Sequence, residues 1–272
     1  MRIAVVAPSA RFTEDAAARV LDIAAAHYPE VELFFHPQCF LSNNHFAGTD
    51  AERIAALVEV ANDPGFGAVW CARGGYGAVR VVEDALAAFG EAARRKAWLG
   101  FSDAGYLLAG LYRAGFEDIA HGPMANDVTR EEGEAAVKRA LGWLARRDAD
   151  ALEPGLAIGD YHAAFNLTVF SQLAGTALEP DLAGHVLLLE EVSEHMYRVD
   201  RAFAHVTGQA SVRRVAGIRL GLVSDVREND PPFGEDEEEI ARRWCHRAGI
   251  AFLGRADIGH DSTNMVVPFG RF

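Results

Sequence analysis

The sequence predicts an α/β protein with two parts: an N-terminal parallel-sheet domain and a smaller C-terminal mixed α/β domain. Three observations carry this reading. Short apolar runs alternate with helical patterns through the first half, as parallel strands joined by crossover helices require. A polar stretch containing Pro154-Gly155 then interrupts the alternation. Beyond it the texture changes, with apolar runs set among loops and two clear helices.

In chain order, strands are expected at Ile3 to Ala7, Val31 to Phe35, Ala68 to Cys71, Trp98 to Phe101 and Ile119 to His121, each followed by a helical pattern. A helix from about Ala51 to Asn62 is announced by Thr49-Asp50-Ala51-Glu52, a capping-box spelling in which Thr49 caps a backbone N–H and Glu52 reaches back. A helix from about Arg130 to Arg147 is Glu-rich at its start and Arg-rich at its end, matching the helix dipole. The N-terminal domain is therefore placed at 1–147, a linker at 148–160 and the C-terminal domain at 161–272. Apolar runs at Val186 to Leu189, Gly217 to Val223 and Met265 to Val267 supply the second sheet. The acidic stretch from Arg227 to Glu239 reads as a solvated loop leading into an acidic helix start rather than a cation site.

Composition excludes several classes of function. The 272 residues are 50% hydrophobic, enough for a substantial core. The net charge of -13, from 39 acidic and 26 basic residues, opposes the phosphate neutralisation that nucleic-acid binding needs. Cys39, Cys71 and Cys245 are few and irregularly spaced, as reduced thiols in a reducing compartment would be. The apolar run after Met1 is too short for a signal-peptide core, and no run approaches the ~20 residues of a membrane span. The expectation is a soluble, cytoplasmic protein with no membrane partner.

The chemistry is concentrated in Leu99-Gly100-Phe101-Ser102-Asp103-Ala104-Gly105. A strand that runs through a sharp turn into a helix lifts a serine hydroxyl out of the sheet top, where a histidine oriented by a carboxylate can deprotonate it. Downstream, Glu190 in Leu188-Leu189-Glu190-Glu191 and His260 after Gly259 also sit at the ends of apolar runs, where open α/β sheets place their sites. The loop Trp70-Cys71-Ala72-Arg73-Gly74-Gly75-Tyr76-Gly77 ends another strand and lets backbone N–H groups approach a ligand. It lacks the spelling of a P-loop or a dinucleotide fingerprint, so an oxyanion role is preferred to nucleotide binding.

Blander readings compete with each residue. Ser102 could cap the helix that starts near Asp103, and Asp103 could cap and charge it. Alternation along Val186 to Glu190 allows only one of Glu190 and Glu191 to face the site. His121, before Gly122-Pro123, is read as support for a turn. No paired-cysteine or His-x-x-x-His signature appears, so neither a metal nor another cofactor is expected.

Taken together and in order, Arg73-Gly74-Gly75-Tyr76-Gly77, Gly100-Phe101-Ser102-Asp103, His121-Gly122-Pro123-Met124, Leu188-Leu189-Glu190-Glu191, Tyr197-Arg198-Val199-Asp200-Arg201, Ile258-Gly259-His260 and Pro268-Phe269-Gly270 closely resemble the LD-carboxypeptidase family of serine peptidases. The resemblance implies Ser102 as nucleophile, His260 as general base and acid, and Glu190 as the carboxylate that orients it. It also implies an oxyanion hole from the N–H of Asp103 and of Gly74 or Gly75. The implied reaction releases a terminal D-amino acid, typically D-alanine, from the tetrapeptide stem of recycled muropeptides, by a homodimer. Arg73 and Arg201 are candidate cations for the substrate carboxylate, and Tyr76 a further substrate-side candidate. One departure stands out: family members usually carry Gly-Gly-Asn-Leu where this chain has Ala164-Phe165-Asn166-Leu167, so Phe165 is expected to narrow the pocket. Two rival functions are an immunity-type peptidase that cleaves peptide-nucleotide antibiotics, and a non-catalytic muropeptide-binding sensor.

Overall fold

A computed structural model describes residues 1–271. Eleven strands occur among them: β1 (Arg2–Val6), β2 (Glu32–Phe35), β3 (Ala68–Cys71), β4 (Ala97–Gly100), β5 (Ile119–His121), β6 (Tyr161–Asn166), β7 (His185–Val192), β8 (Gly217–Ser224), β9 (Phe252–Arg255), β10 (Val267–Pro268) and β11 (Gly270–Arg271). They form two sheets, ordered β10-β5-β4-β3-β1-β2 and β11-β6-β7-β8-β9. Every pairing is parallel except β10 with β5 and β11 with β6.

The central parallel strands β3 and β4 are buried from end to end, as strands covered on both faces are. Adjacent residues point to opposite faces, so Val69 and Trp98 enter one core while Trp70 and Leu99 enter another. The first of these cores is shared between the two halves. Leu107 and Leu111, from the helix Gly105–Arg113 that follows β4, belong to the same cluster as Phe165 and Leu187 of the second sheet and Phe203 of the helix Met196–Gly208.

Several expectations meet the structure closely. The helix Asp50–Asn62 carries the full capping box between Thr49 and Glu52, and the acidic stretch ends in a second one, Asp236 with Glu239, opening the helix Glu237–Ala248. Other features differ. The helix expected from Arg130 starts at Gly133, because a 3-10 turn at Ala125–Thr129 and a left-handed Glu132 precede it. The second half holds a third, short helix, Leu167–Leu173, capped by the Asn166 side chain. The run expected as Met265 to Val267 of the second sheet instead forms β10 at Val267–Pro268 and pairs with β5 of the first. Within the polar stretch 148–160, Glu153 is buried, and its carboxylate accepts two hydrogen bonds from Arg219, at 2.6 and 2.9 Å.

Candidate active site

Ser102 lies two residues past the end of β4 and adopts a left-handed backbone, φ 57°. A non-glycine residue in that region is strained, and the strain persists only where surroundings enforce it. Here the turn raises the hydroxyl above the sheet edge. The His260 Nε2 lies 3.0 Å from Ser102 Oγ, and the His260 Nδ1 lies 2.7 Å from Glu190 Oε2. An ionised carboxylate only accepts hydrogen bonds, so Nδ1 carries the proton and the Nε2 lone pair faces the serine O–H. Burial alone would push the His260 imidazole down, but the charge and hydrogen bond of Glu190 outweigh it and leave the imidazole above the usual histidine range.

Strand alternation separates the neighbouring carboxylates of β7 as expected. Glu190 is fully buried beneath His260. Glu191, on the other face, accepts from the Asn166 side chain and from the backbone N–H groups of Thr168 and Val192, each at 2.8 Å. Glu194 pairs with Arg198 at the surface.

The His260 loop is held from the first sheet's side. Arg130 Nη1 donates to the His260 carbonyl at 2.5 Å, and Arg139 Nη1 to the carbonyls of Ser262 and Asn264, at 2.9 and 3.0 Å. Asn264 Oδ1 accepts from the Gly259 N–H at 3.1 Å and lies 3.1 Å from His121 Nε2. His121, at the end of β5, is buried, which pushes its imidazole down to about 4 and keeps it neutral near pH 7. The Phe101 ring packs between the two imidazoles, 4.8 Å from His260 and 5.5 Å from His121.

The glycine loop closes on the other side of Ser102. A Cβ at Gly74 would stand 2.9 Å from both Cβ and Oγ of Ser102, so only glycine allows this approach. The Gly74 carbonyl accepts from the Ala10 N–H at 3.3 Å. Because a trans peptide points its C=O and N–H in opposite directions, the Gly75 N–H is directed away from Ala10. Asp103 does not cap the following helix. Its buried carboxylate accepts from Ser9 Oγ at 2.5 Å and from the Ala78 N–H at 2.8 Å. Arg53, also fully buried, donates to the carbonyls of Pro8 and Gly77 at 2.5 and 2.8 Å. Asp103 and Arg53 thus lock the ends of β1, β3 and β4 together around the serine turn.

The cavity at Ser102 and His260, ≈ 280 Å³, is lined also by Gly74, Gly75, Arg73 and Arg130. Of the residues expected on the substrate side, Arg73 is there, with its guanidinium donating to the Arg11 carbonyl at 3.2 Å. Tyr76 is half exposed outside the lining, its ring 6.1 Å from His45 and 6.2 Å from Phe46. Arg201 lines a separate cavity with Thr168, its guanidinium over the Tyr197 ring. Phe165 does not narrow the pocket, because the pleat turns it inward. It is 1% exposed and packs on Phe170 and Phe269, with ring centroids 5.0 and 5.1 Å away. Arg130, Arg139 and Asn264 escaped sequence reasoning, since an Arg within a helical pattern and an Asn in a loop carry no local sign of their partners. A larger cavity of ≈ 800 Å³ lies by Tyr112 and Phe269, at the other end of the helix Gly105–Arg113, and holds none of these groups.

A serine facing a carboxylate-oriented imidazole, with a glycine loop packed against it at the carboxyl ends of parallel strands, is the arrangement of a serine hydrolase. Comparison with known proteins narrows the class. The N-terminal domain of the LD-carboxypeptidase family matches residues 3–122, and its C-terminal domain residues 163–272. A Synechocystis sp. protein with a provisional carboxypeptidase name is 32% identical over 83% of this chain and 75% of its own length. A Pseudomonas aeruginosa murein tetrapeptide carboxypeptidase is 27% identical over 99% of this chain and 91% of its own. The crystal structure of muramoyltetrapeptide carboxypeptidase from Oxalobacter formigenes superposes with a TM-score of 0.82, at 22% identity, covering 99% of this chain and 93% of that one. MccF in complex with glutamyl sulfamoyl guanosine shares the fold at a TM-score of 0.81 and 16% identity, covering 99% and 91% of the two chains. The chain belongs to the LD-carboxypeptidase family and is a serine-type carboxypeptidase.

Proposed function

We propose that this protein is an L,D-carboxypeptidase that releases a terminal D-amino acid, D-alanine foremost, from murein tetrapeptides during cell-wall recycling. The observation that carries the reading is the hydrogen-bonded relay from Ser102 through His260 to Glu190. The name of the P. aeruginosa relative supports the substrate. In this reading the two domains are 1–147 and 161–272, and the site lies between them.

The reaction follows from the residues. His260 Nε2 takes the Ser102 proton as Oγ attacks the carbonyl carbon of the L-residue, and Glu190 stabilises the imidazolium that forms. The tetrahedral oxyanion is met by the N–H of Asp103 and by that of Gly75, the donor favoured by the Gly74 carbonyl's bond to Ala10. Losing one such donor typically costs about 2.7–4 kcal/mol of barrier. Collapse of the intermediate breaks the C–N bond as His260 returns the proton to the leaving amine, freeing the D-amino acid. Water, activated by the same imidazole, then hydrolyses the acyl-serine.

The test is incubation of the protein and of Ser102→Ala with a muropeptide tetrapeptide, with free D-alanine followed by mass spectrometry. Release by the wild type alone is expected. Equal release by Ser102→Ala would remove Ser102 as nucleophile. If neither releases D-alanine while Ser102 still reacts with a fluorophosphonate, the substrate assignment fails and peptide-nucleotides are tried next.

A further inference from the structure

The overall charge of -13 works against a substrate that must present a free carboxylate, so the cleft needs a local cation to receive one. Two guanidinium groups line the cavity at Ser102, those of Arg73 and Arg130. They differ in how they are held. Arg73 is exposed and touches a single carbonyl, that of Arg11. Arg130 is fixed at two points: its Nε donates to Asp127 Oδ1 at 2.7 Å, and its Nη1 to the His260 carbonyl at 2.5 Å. Asp127 is itself buried and accepts from the Met124 N–H at 2.8 Å. Among the described residues, Arg130 Nη2 has no hydrogen-bond partner. The side chain is 32% exposed. A guanidinium preorganised in this way loses little further freedom when it pairs with a carboxylate.

Arg130 also stands at a boundary. Beyond His260 it lines a second cavity, with Glu131, Glu132, Asp225 and Asp261, whose charges repel a carboxylate and leave the Ser102 side as the place for one. The chemistry of the leaving group agrees. The amine that His260 protonates is two covalent bonds from the carboxyl carbon of the same terminal residue, so that carboxylate must lie close to His260. We propose that Arg130 receives the terminal carboxylate of the substrate while its other arm holds the His260 backbone, so that the acid end of the peptide is registered directly against the general base. The proposal rests on the carboxypeptidase reading above and names the group that recognises the acid.

The test compares a tetrapeptide ending in free D-alanine with the same peptide ending in D-alaninamide, using wild type, Arg130→Gln, Arg130→Lys and Arg73→Gln. The wild type should favour the free acid. Arg130→Gln should lose about 10- to 100-fold of that preference in kcat/KM, the range of a charge-assisted hydrogen bond. Arg130→Lys should keep part of the preference, and Arg73→Gln most of it. If Arg130→Gln slows both peptides equally, the proposal is overturned and Arg130 serves only as the tether of His260. A second measurement needs no peptide turnover: the rate at which a fluorophosphonate labels Ser102, with and without free D-alanine. D-alanine should slow labelling of the wild type but not of Arg130→Gln, and D-alaninamide should slow neither. Equal protection of both proteins, or none in the wild type, overturns the carboxylate site. Protection of a wild type that leaves the tetrapeptide intact supports the site and sinks the substrate assignment alone.

Discussion

His260 sits between two opposing pulls: burial favours its neutral form, and Glu190 favours its charged form and prevails. In the proposed reaction the base must be neutral, so activity is lost as pH falls through its pKa. The acid limb of kcat/KM should therefore lie above the usual histidine range. Glu190→Gln removes the carboxylate's charge and leaves burial dominant, so the limb should move to lower pH while the rate falls. A limb that stays in place would show that another group titrates there. Ser102→Ala and His260→Ala should each abolish nearly all turnover, and the double variant should be little worse than either, because groups that act as a unit are not additive. Additive losses in the pH-independent region would dismantle the triad. Arg130 belongs to this scale too, since one side chain links Asp127, three residues earlier, to the His260 carbonyl, 130 residues away.

At the scale of elements, the loop after β3 and the turn after β4 meet at one contact, Gly74 against Ser102. A methyl there cannot fit without moving the hydroxyl, and a displacement of about 1 Å at a reacting group can cost on the order of 100-fold. Gly74→Ala should lower kcat by at least about that factor with its melting temperature little changed. Gly208→Ala, at the end of a helix where the new methyl would meet nothing within 4 Å beyond its chain neighbours and the helix's own backbone, provides the control. Unchanged kcat in Gly74→Ala would mean that the loop yields freely and is not the oxyanion wall. Phe165 makes the opposite case. It fills the core between Phe170 and Phe269, so Phe165→Ala should cost about 3–5 kcal/mol of stability, read by denaturant titration, and leave KM nearly unchanged. A large shift in KM with stability intact would return Phe165 to the pocket.

Across the whole molecule, the proposed reaction depends on parts from both sheets. Ser102 comes from the first, Glu190 from the second, and His260 from the stretch between β9 and β10, where the chain returns to pair with β5. One hydrophobic cluster runs through both halves, and the Glu153–Arg219 pair pins the intervening segment. The two halves should unfold together. Calorimetry is expected to show a single heat-capacity peak, coincident with the change in tryptophan fluorescence. Two resolved peaks would mean that the halves are independent. Among the described residues no helix is long and apolar enough to cross a membrane.

The sequence by itself determined what depends on short-range chemistry. Alternation of apolar runs with helical patterns specifies parallel strands, Thr49 and Glu52 specify a helix start, and the two-residue period of a strand sends Glu190 and Glu191 to opposite faces. The ordered motifs also identify the family and point to Ser102, Glu190 and His260. Only the tertiary structure decided which long-range partners those residues have. It turned Phe165 into the core, set Arg201 in another cavity, carried Val267–Pro268 across to the first sheet, brought Arg130 and Arg139 onto the His260 loop, and set His121 against Asn264 of that loop. Periodicity shows which face of an element a side chain occupies. What that face meets depends on the packing of segments more than a hundred residues apart, and no local pattern encodes that packing.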